Sequence, residues 1–263
     1  MNNSKTKITA SNLCKYYGLE GKGLLALDNF SLEVLDGEFI CITGPSGCGK
    51  TTFLRILGGL TKKTQGDLNI RRNGDNRTPL TAIVFQEYAI FPWRTVFENV
   101  AFGLEMRDVP EKERYEVAHY YVHKVGLGDF ANHYPHELSG GMKQRVGIAR
   151  ALAADPEILL MDEPFGALDA QTRNVLQELL LRIWDDERKT VVYITHSLEE
   201  AILLGDRIIV MTARPGTVKR EYKVDFPRPR TLEIRKSAYF GELYYEIWQV
   251  LEEEVKRSLE VSQ

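Results

Sequence analysis

The run Gly44-Pro45-Ser46-Gly47-Cys48-Gly49-Lys50-Thr51 has the spacing glycine, four residues, glycine, lysine, hydroxyl. That pattern is suited to holding phosphate. Glycines let backbone N–H groups turn inward around an anion, and a following helix start adds its positive dipole end. Lys50 reaches β- and γ-phosphates, and the Thr51 hydroxyl ligates Mg²⁺. With Thr52 these residues form the expected nucleotide-binding set. A chance glycine-rich turn would lack the context seen here. Phe39-Ile-Cys-Ile-Thr43 precedes the run as a short buried strand, and a helical segment from about Thr51 to Leu60 follows. This motif alone specifies nucleotide binding without specifying a family.

A second cluster could do chemistry on that nucleotide. Ile158-Leu-Leu-Met-Asp-Glu-Pro164 is an apolar strand ending in two acids. Burying the strand up to Asp162 puts its carboxylate at the sheet's carboxyl edge, where ligands of α/β sheets bind. One acid serves the Mg²⁺ shell, and the next, Glu163, polarises an attacking water. An isolated Asp-Glu is commonly a solvated acidic turn. Here the pair closes a strand in a chain that already carries a phosphate loop.

Elements must position these groups. Ile8 to Tyr17 reads as a strand, followed by a Gly-rich stretch, Gly18 to Gly23. Leu25 to Leu35 alternates as half-buried strands do. Ala82 to Phe85, Ile158 to Met161 and Val191 to Thr195 read as strands, with a helix near Thr172 to Asp186. From about Trp93 to Arg150 helix formers dominate, as in Glu111 to Val125, so this stretch reads as a helical insertion in an α/β core. Strands alternating with helices imply a largely parallel sheet. From Lys236 the residues Tyr239, Phe240, Leu243, Ile247, Val250, Leu251 and Val255 give the spacing of an amphipathic helix, expected to pack on the chain's own core.

The chain has 263 residues, 43% of them hydrophobic, enough to bury a sizeable core. Its 34 basic and 37 acidic residues give a net charge of −3, which offers no footprint for nucleic acid. No apolar run approaches the roughly 20 residues needed to span a bilayer. The start, Met1 to Ile8, lacks the apolar stretch of a secretion signal, so the chain is expected to stay in the cytosol. Cys14, Cys41 and Cys48 lack CxxC spacing and suit a reducing compartment better than disulfides or zinc. His119 and His123 lie four apart on a probable helix, a spacing that binds metals. No Glu follows His119 as in H-E-x-x-H, so they are assigned to packing or surface. His133 and His136, flanking a proline, are assigned structural roles.

Leu138-Ser-Gly-Gly-Met-Lys-Gln144 is similar to the LSGGQ-like signature of ABC (ATP-binding cassette) ATPases, with Met142 where Gln is commonest. The tract begins a helix, with Ser139 at a cap position and backbone N–H groups free for phosphate. Other motifs of that family follow in order. Gln86 matches the Q-loop glutamine, Ala167-Leu168-Asp169 the D-loop, and His196 the switch histidine. Tyr17, in Lys15-Tyr-Tyr-Gly18, matches the aromatic that stacks on adenine, with Tyr16 the alternative. The resemblance covers nearly the whole chain. It implies a P-loop NTPase core of RecA-like α/β type with a mostly parallel sheet, an N-terminal antiparallel β-subdomain and an inserted helical subdomain. The ATPase domain would span 5–235 with the helical part at about 93–150, and 236–263 would form a helical tail.

The resemblance also implies ATP and Mg²⁺ as cofactors and a head-to-tail dimer with a second ATPase subunit. Ser139, Gly140 and Gly141, with Asp169, would face a nucleotide held by the opposite subunit. Glu163, His196 and Gln86 would be catalytic, and Thr51, Gln86 and Asp162 would serve the metal. A narrower resemblance rests on Phe91-Pro-Trp-Arg94, Glu98 to Leu104, Arg214-Pro-Gly216, Phe226 to Arg230 and Tyr245 to Trp248. These look like the importer ATPases of the nitrate, sulfonate and taurine group. That likeness implies a separate permease, a solute-binding protein acting through it, and peripheral attachment at the cytoplasmic face of the membrane. The aromatic run Glu87 to Arg94 would suit a groove for a short permease helix. DNA-repair members of the family carry long coiled coils and translation members carry two cassettes; this sequence has neither. A plain P-loop kinase would leave the signature and His196 unexplained.

Overall fold

The computed structural model describes residues 5–18, 23–74 and 78–260. Most of the Gly-rich stretch, the first four residues and the last three of the expected tail therefore lie outside the described residues. In chain order the elements are β1 (Thr6–Tyr17), β2 (Leu24–Leu35), β3 (Phe39–Thr43), α1 (Lys50–Leu57), β4 (Gln65–Ile70), β5 (Thr81–Val84), α2 (Val96–Glu105), α3 (Glu111–Lys124), α4 (Gly140–Ala153), β6 (Ile158–Asp162), α5 (Ala170–Glu187), β7 (Thr190–Ile194), α6 (Leu198–Leu204), β8 (Arg207–Met211), β9 (Val218–Lys223) and α7 (Ala238–Glu260). They divide into two compact units, Met1–Asn73 with Leu181–Gln263, and Gly74–Leu180.

In the first unit, β7, β3 and β8 run parallel and β9 closes the edge antiparallel. All five residues of β3 are buried. A parallel strand covered on both faces is apolar along nearly its whole length, which is why Phe39 to Ile42 is a continuous run rather than an alternation. A separate antiparallel sheet has the order β2-β1-β4. Phe53 of α1 packs against Phe30 of β2 with ring centroids 4.5 Å apart, so the helix after the phosphate loop is seated by an aromatic contact. α7 buries Phe240, Leu243 and Ile247.

The second unit pairs β5 with β6 in parallel; α4 packs on β5, and α2 and α3 pack on α4 and on each other. α2 opens with a capping box. Thr95 Oγ1 accepts from Glu98 N at 3.2 Å, and Glu98 Oε2 accepts from Thr95 N at 2.7 Å.

The α/β class with a mostly parallel sheet and an antiparallel β-subdomain is as the sequence implies. β4, α6, β8 and β9 have no counterpart among the expected elements. β4 has two apolar residues in six, Leu68 and Ile70, and α6 is only seven residues long. The tail helix differs in detail: Tyr239 and Val255 are exposed rather than buried. No helix among the described residues is long and apolar enough to cross a membrane.

Candidate functional site

In the first unit the phosphate loop leaves the end of β3 and enters α1 at Gly49. Gly49 has φ 109°, and a Cβ there would stand 2.7 Å from Ala26 O, so only glycine fits the turn. Lys50 is buried, and its ammonium donates to Gly44 O at 2.8 Å and Pro45 O at 2.9 Å. The loop thus wraps the cation that is expected to meet phosphate. Cys48 is buried beside it, and burial pushes its thiol above the usual range, which makes it a packing group and not a nucleophile. All three cysteines are free and buried. The Tyr17 hydroxyl lies 3.4 Å from Thr52 Oγ1 on α1, while Tyr16 N donates to Thr64 Oγ1. Of the two tyrosines, the one brought to the phosphate loop's helix is Tyr17.

Sheet register delivers His196 to the same edge. Ile42 of β3 is paired with Ile194 of β7, and Thr195 N donates to Ile42 O at 3.2 Å. Gly44 and His196 therefore both leave the sheet two residues beyond one paired position. The His196 segment is pinned from α6. Buried Glu200 accepts from Thr195 Oγ1 at 2.6 Å and from the Tyr193 hydroxyl at 3.2 Å, while Ser197 Oγ accepts from Glu200 N at 3.3 Å. Glu200 is a site residue that sequence motifs did not flag; its signal is a carboxylate in the apolar turn Leu198 to Leu204.

The second unit repeats the device. Val84 of β5 is paired with Met161 of β6, so Gln86 and Glu163 each lie two residues beyond a paired position. They meet across Gly166, where a Cβ would lie 3.5 Å from Gln86 Nε2 and 3.7 Å from Glu163 Oε2. Asp162 is the last residue of β6. Glu163 has φ 46°, a left-handed conformation that non-glycine residues adopt at a cost of order 1–3 kcal/mol. Such strain is retained where the surroundings fix a side chain's direction.

Ser139 caps α4, its Oγ accepting from Met142 N at 3.3 Å. The glycines that follow are small because neighbours crowd them. A Cβ on Gly140 would meet the Tyr88 hydroxyl at 2.7 Å, and one on Gly141 would meet Thr172 Cγ2 at 2.5 Å. Asp169 Oδ1 accepts from the backbone N–H groups of Gln171 and Thr172, both at 3.0 Å, and so opens α5. Hydrogen bonds from the Thr172 side chain and backbone hold its carboxyl below the usual aspartate range. Tyr88, Gly140, Thr172 and Asp169 thus tie together the segments after β5, before α4 and before α5.

In the aromatic run, Phe91 is enclosed by Phe102, Trp93 and the guanidinium of Arg150, at 4.5, 5.6 and 5.7 Å. Trp93 is 71% exposed. The two aromatic residues therefore have different jobs, one packing the run and one presenting it. Fully buried Asn99 anchors the segment, accepting from Phe91 N at 2.7 Å and donating to the carbonyls of Phe91, Arg94 and Thr95 at 3.1, 3.0 and 2.9 Å. His119 and His123 pack with tilted rings, centroids 4.3 Å apart, and His119 stacks on Tyr115. Among the described residues no three His, Cys, Asp or Glu side chains form a metal cluster.

With this geometry in place, four likenesses bear on the chain. A family model described as ABC transporter matches residues 27–166. The nitrate import ATP-binding protein NrtD of Synechocystis is 44% identical over 237 residues, 87% of this chain and 88% of that protein. The taurine import ATP-binding protein TauB of Roseobacter denitrificans is 43% identical over 260 residues, 94% and 96%. Among solved structures, an ATP-binding cassette in a dimeric post-hydrolysis state bound to ADP and Pi superposes with TM-score 0.72. It is 36% identical and covers 84% of this chain and 100% of that one.

Proposed function

Because this chain belongs to the ABC transporter family as an ATP-binding cassette, an ATPase, we propose that it drives uptake of a small solute of the nitrate, sulfonate or taurine kind. The import names of its relatives support the direction of transport. The tract Leu138–Gln144 carries the reading: small residues at a helix start, crowded into place by Tyr88 and Thr172, on a different compact unit from the phosphate loop.

In this reading Gly44, Ser46, Gly47, Cys48 and Gly49 present backbone N–H groups to the phosphates of ATP, and Pro45, which has no N–H, shapes the loop. Lys50 supplies a fixed cation, and Tyr17 stacks on the base beside Thr52. Thr51, Asp162 and Gln86 offer only oxygen donors to the metal, the hard ligand set that Mg²⁺ takes. Mg²⁺, when bound, neutralises charge on the β- and γ-phosphates. Glu163 orients and deprotonates water, and His196, held by the Glu200 network, faces the γ-phosphate. Ser139, Gly140 and Gly141 cap the nucleotide of a second copy, with Asp169 at the junction. Residues 5–235 form the ATPase domain with a helical part at about 93–150, and 236–263 the tail.

The chain works as a head-to-tail dimer beneath separate permease subunits, which receive solute from a binding protein. It sits at the cytoplasmic face of the membrane, and nucleic acid has no part in its work. Trp93 is the side chain presented to the permease. Lys50→Ala should abolish steady-state ATP hydrolysis, and near-normal turnover in that variant rejects the phosphate-loop assignment. Trp93→Glu should reduce co-purification with the permease while ATP binding is kept. Retention of both leaves docking to another surface.

A further inference from the structure

The chemistry above leaves the turn between β8 and β9 without a role. Residues 212–217 fold back on themselves, Thr212 Oγ1 accepting from Thr217 N at 3.0 Å and donating to Pro215 O at 2.9 Å. One flank of the turn lies on the phosphate loop. Arg214 Nε donates to Gly47 O at 3.2 Å, and Gly216 comes so near that a Cβ there would overlap the Cys48 carbonyl oxygen. Gly216 also joins β2, donating to Ala26 O at 3.0 Å and accepting from Asp28 N at 3.1 Å. The other flank is held by α7. Glu254, 1% exposed, accepts from Ala213 N at 2.9 Å through Oε2, while Oε1 meets the Lys219 ammonium at 2.9 Å and Arg257 at 3.1 Å. Ala213 and Arg214, neighbours in sequence, therefore link the tail helix to the phosphate loop.

Attaching α7 needs no carboxylate, since Phe240, Leu243 and Ile247 already bury its inner face. A buried charge is costly unless paired, and one aimed at a turn's backbone N–H specifies that turn's shape. Peptide units are planar, so fixing the Gly47 carbonyl fixes the Cys48 N–H on the opposite edge. Packing Gly216 against the Cys48 carbonyl does the same for the Gly49 N–H. We propose that Glu254 is a positioning residue for nucleotide binding: through the turn 212–217, helix α7 sets the backbone of the phosphate loop at Gly47 and Cys48. This deepens, and rests on, the reading of Gly44 to Thr51 as the phosphate loop.

The test measures ATP affinity, kcat, KM and Tm in the full chain for Glu254→Ala, Glu254→Gln, Arg214→Ala and the double variant. Phe240→Ala serves as a control that loosens α7 without touching the turn. Glu254→Ala and Arg214→Ala should each raise KM and Kd for ATP about tenfold, the effect of one lost hydrogen bond to a charged group, with kcat kept. The double variant should be little worse than either single one, because both cut the same strut. Glu254→Gln should recover most of the affinity, since its amide oxygen still accepts from Ala213 N. Phe240→Ala should lower Tm and leave Kd unmoved. Wild-type affinity in Glu254→Ala, or single effects that multiply, overturns the proposal. Should Glu254→Ala fail to fold, Gly216→Ala tests the turn directly, and an unchanged Kd there overturns it equally. A wild-type chain that binds no ATP instead removes the phosphate-loop reading itself. Binding by wild type, loss in Lys50→Ala and wild-type affinity in Glu254→Ala removes this proposal alone.

Discussion

Two carboxylates adjacent in sequence are assigned different work in the proposed mechanism because a strand ends between them. Asp162 keeps the extended geometry of β6, while Glu163 turns into the left-handed region, at φ 46°, toward the Gln86 amide. A positioned base contributes about 10²–10⁴-fold to rate. Glu163→Gln keeps the side chain's shape and one acceptor but loses the basic group, so single-turnover hydrolysis should slow by about that factor with ATP affinity nearly kept. Hydrolysis at the wild-type rate would move the base to another residue, His196 first. These groups were legible in the sequence because each sits at a strand end or inside a glycine-rich spacing that few other structures require. Glu200, Arg214 and Glu254 were not. Each acts through backbone N–H groups, hydroxyls or carbonyls far along the chain, and residue type and local spacing do not record such partners. Even between Tyr16 and Tyr17 the sequence left a choice, which the position of Thr52 on α1 favours resolving toward Tyr17.

Burial made some elements readable but not all: β8 and α6 are mostly buried and still had no counterpart among the expected elements. β3 and β7 are buried throughout and stand out, whereas β4 shows only Leu68 and Ile70. The helix α2 opens with the capping box of Thr95 and Glu98, yet the residue that organises its approach is Asn99. A polar side chain there reads as an ordinary surface position until its partners are known. Replacing it by Ala removes the side-chain partner of the Phe91 N–H and of the Arg94 carbonyl, while the Phe91 and Thr95 carbonyls keep the backbone N–H groups of Arg94 and residue 99. Asn99→Ala should therefore cost about 3 kcal/mol in denaturant unfolding and increase proteolysis between residues 91 and 95. A loss under 1 kcal/mol would mean that the segment is held by its aromatic contacts alone. At the other end of the chain, burial alone would raise the Glu254 carboxyl. The Ala213 N–H, the Lys219 ammonium and Arg257 together hold it below its ordinary value of 4.5. A lowered carboxyl stabilises the fold above its unfolded pKa, and that stability is lost as pH falls through the folded one. The stability gap between wild type and Glu254→Gln should be widest near neutral pH and close as pH falls through the lowered folded pKa. A gap that stays constant with pH would show that the charge contributes nothing.

At the scale of the molecule, the proposed function gives one chain two kinds of phosphate-facing surface, on two compact units: the loop Gly44 to Thr51 and the helix start at Ser139. A nucleotide already cradled by the loop of its own chain leaves the second surface for a partner's nucleotide, and a similar cassette was solved as a dimer with ADP and Pi. The arrangement makes a prediction about where two lesions may be placed. If each composite site joins the loop of one copy to the signature of the other, Lys50→Ala in one copy and Ser139→Arg in its partner fall on the same site. The other site then keeps a native loop and a native signature. Placed together in one copy, the same two changes fall on different sites and damage both. If instead loop and signature of one chain served the same nucleotide, the outcomes would exchange: lesions in separate copies would damage both sites, and lesions in one copy would spare one. Tagged copies purified as mixed dimers and loaded with labelled ATP distinguish these cases by the nucleotide occluded per dimer. The head-to-tail arrangement requires about half of wild-type occlusion with the lesions in separate copies and almost none with both in one copy, since Lys is the phosphate cation and a bulky Arg blocks the N–H groups of the helix start. The exchanged result would confine each site to a single chain and remove the reason for placing Gly140 and Gly141 at a partner's γ-phosphate.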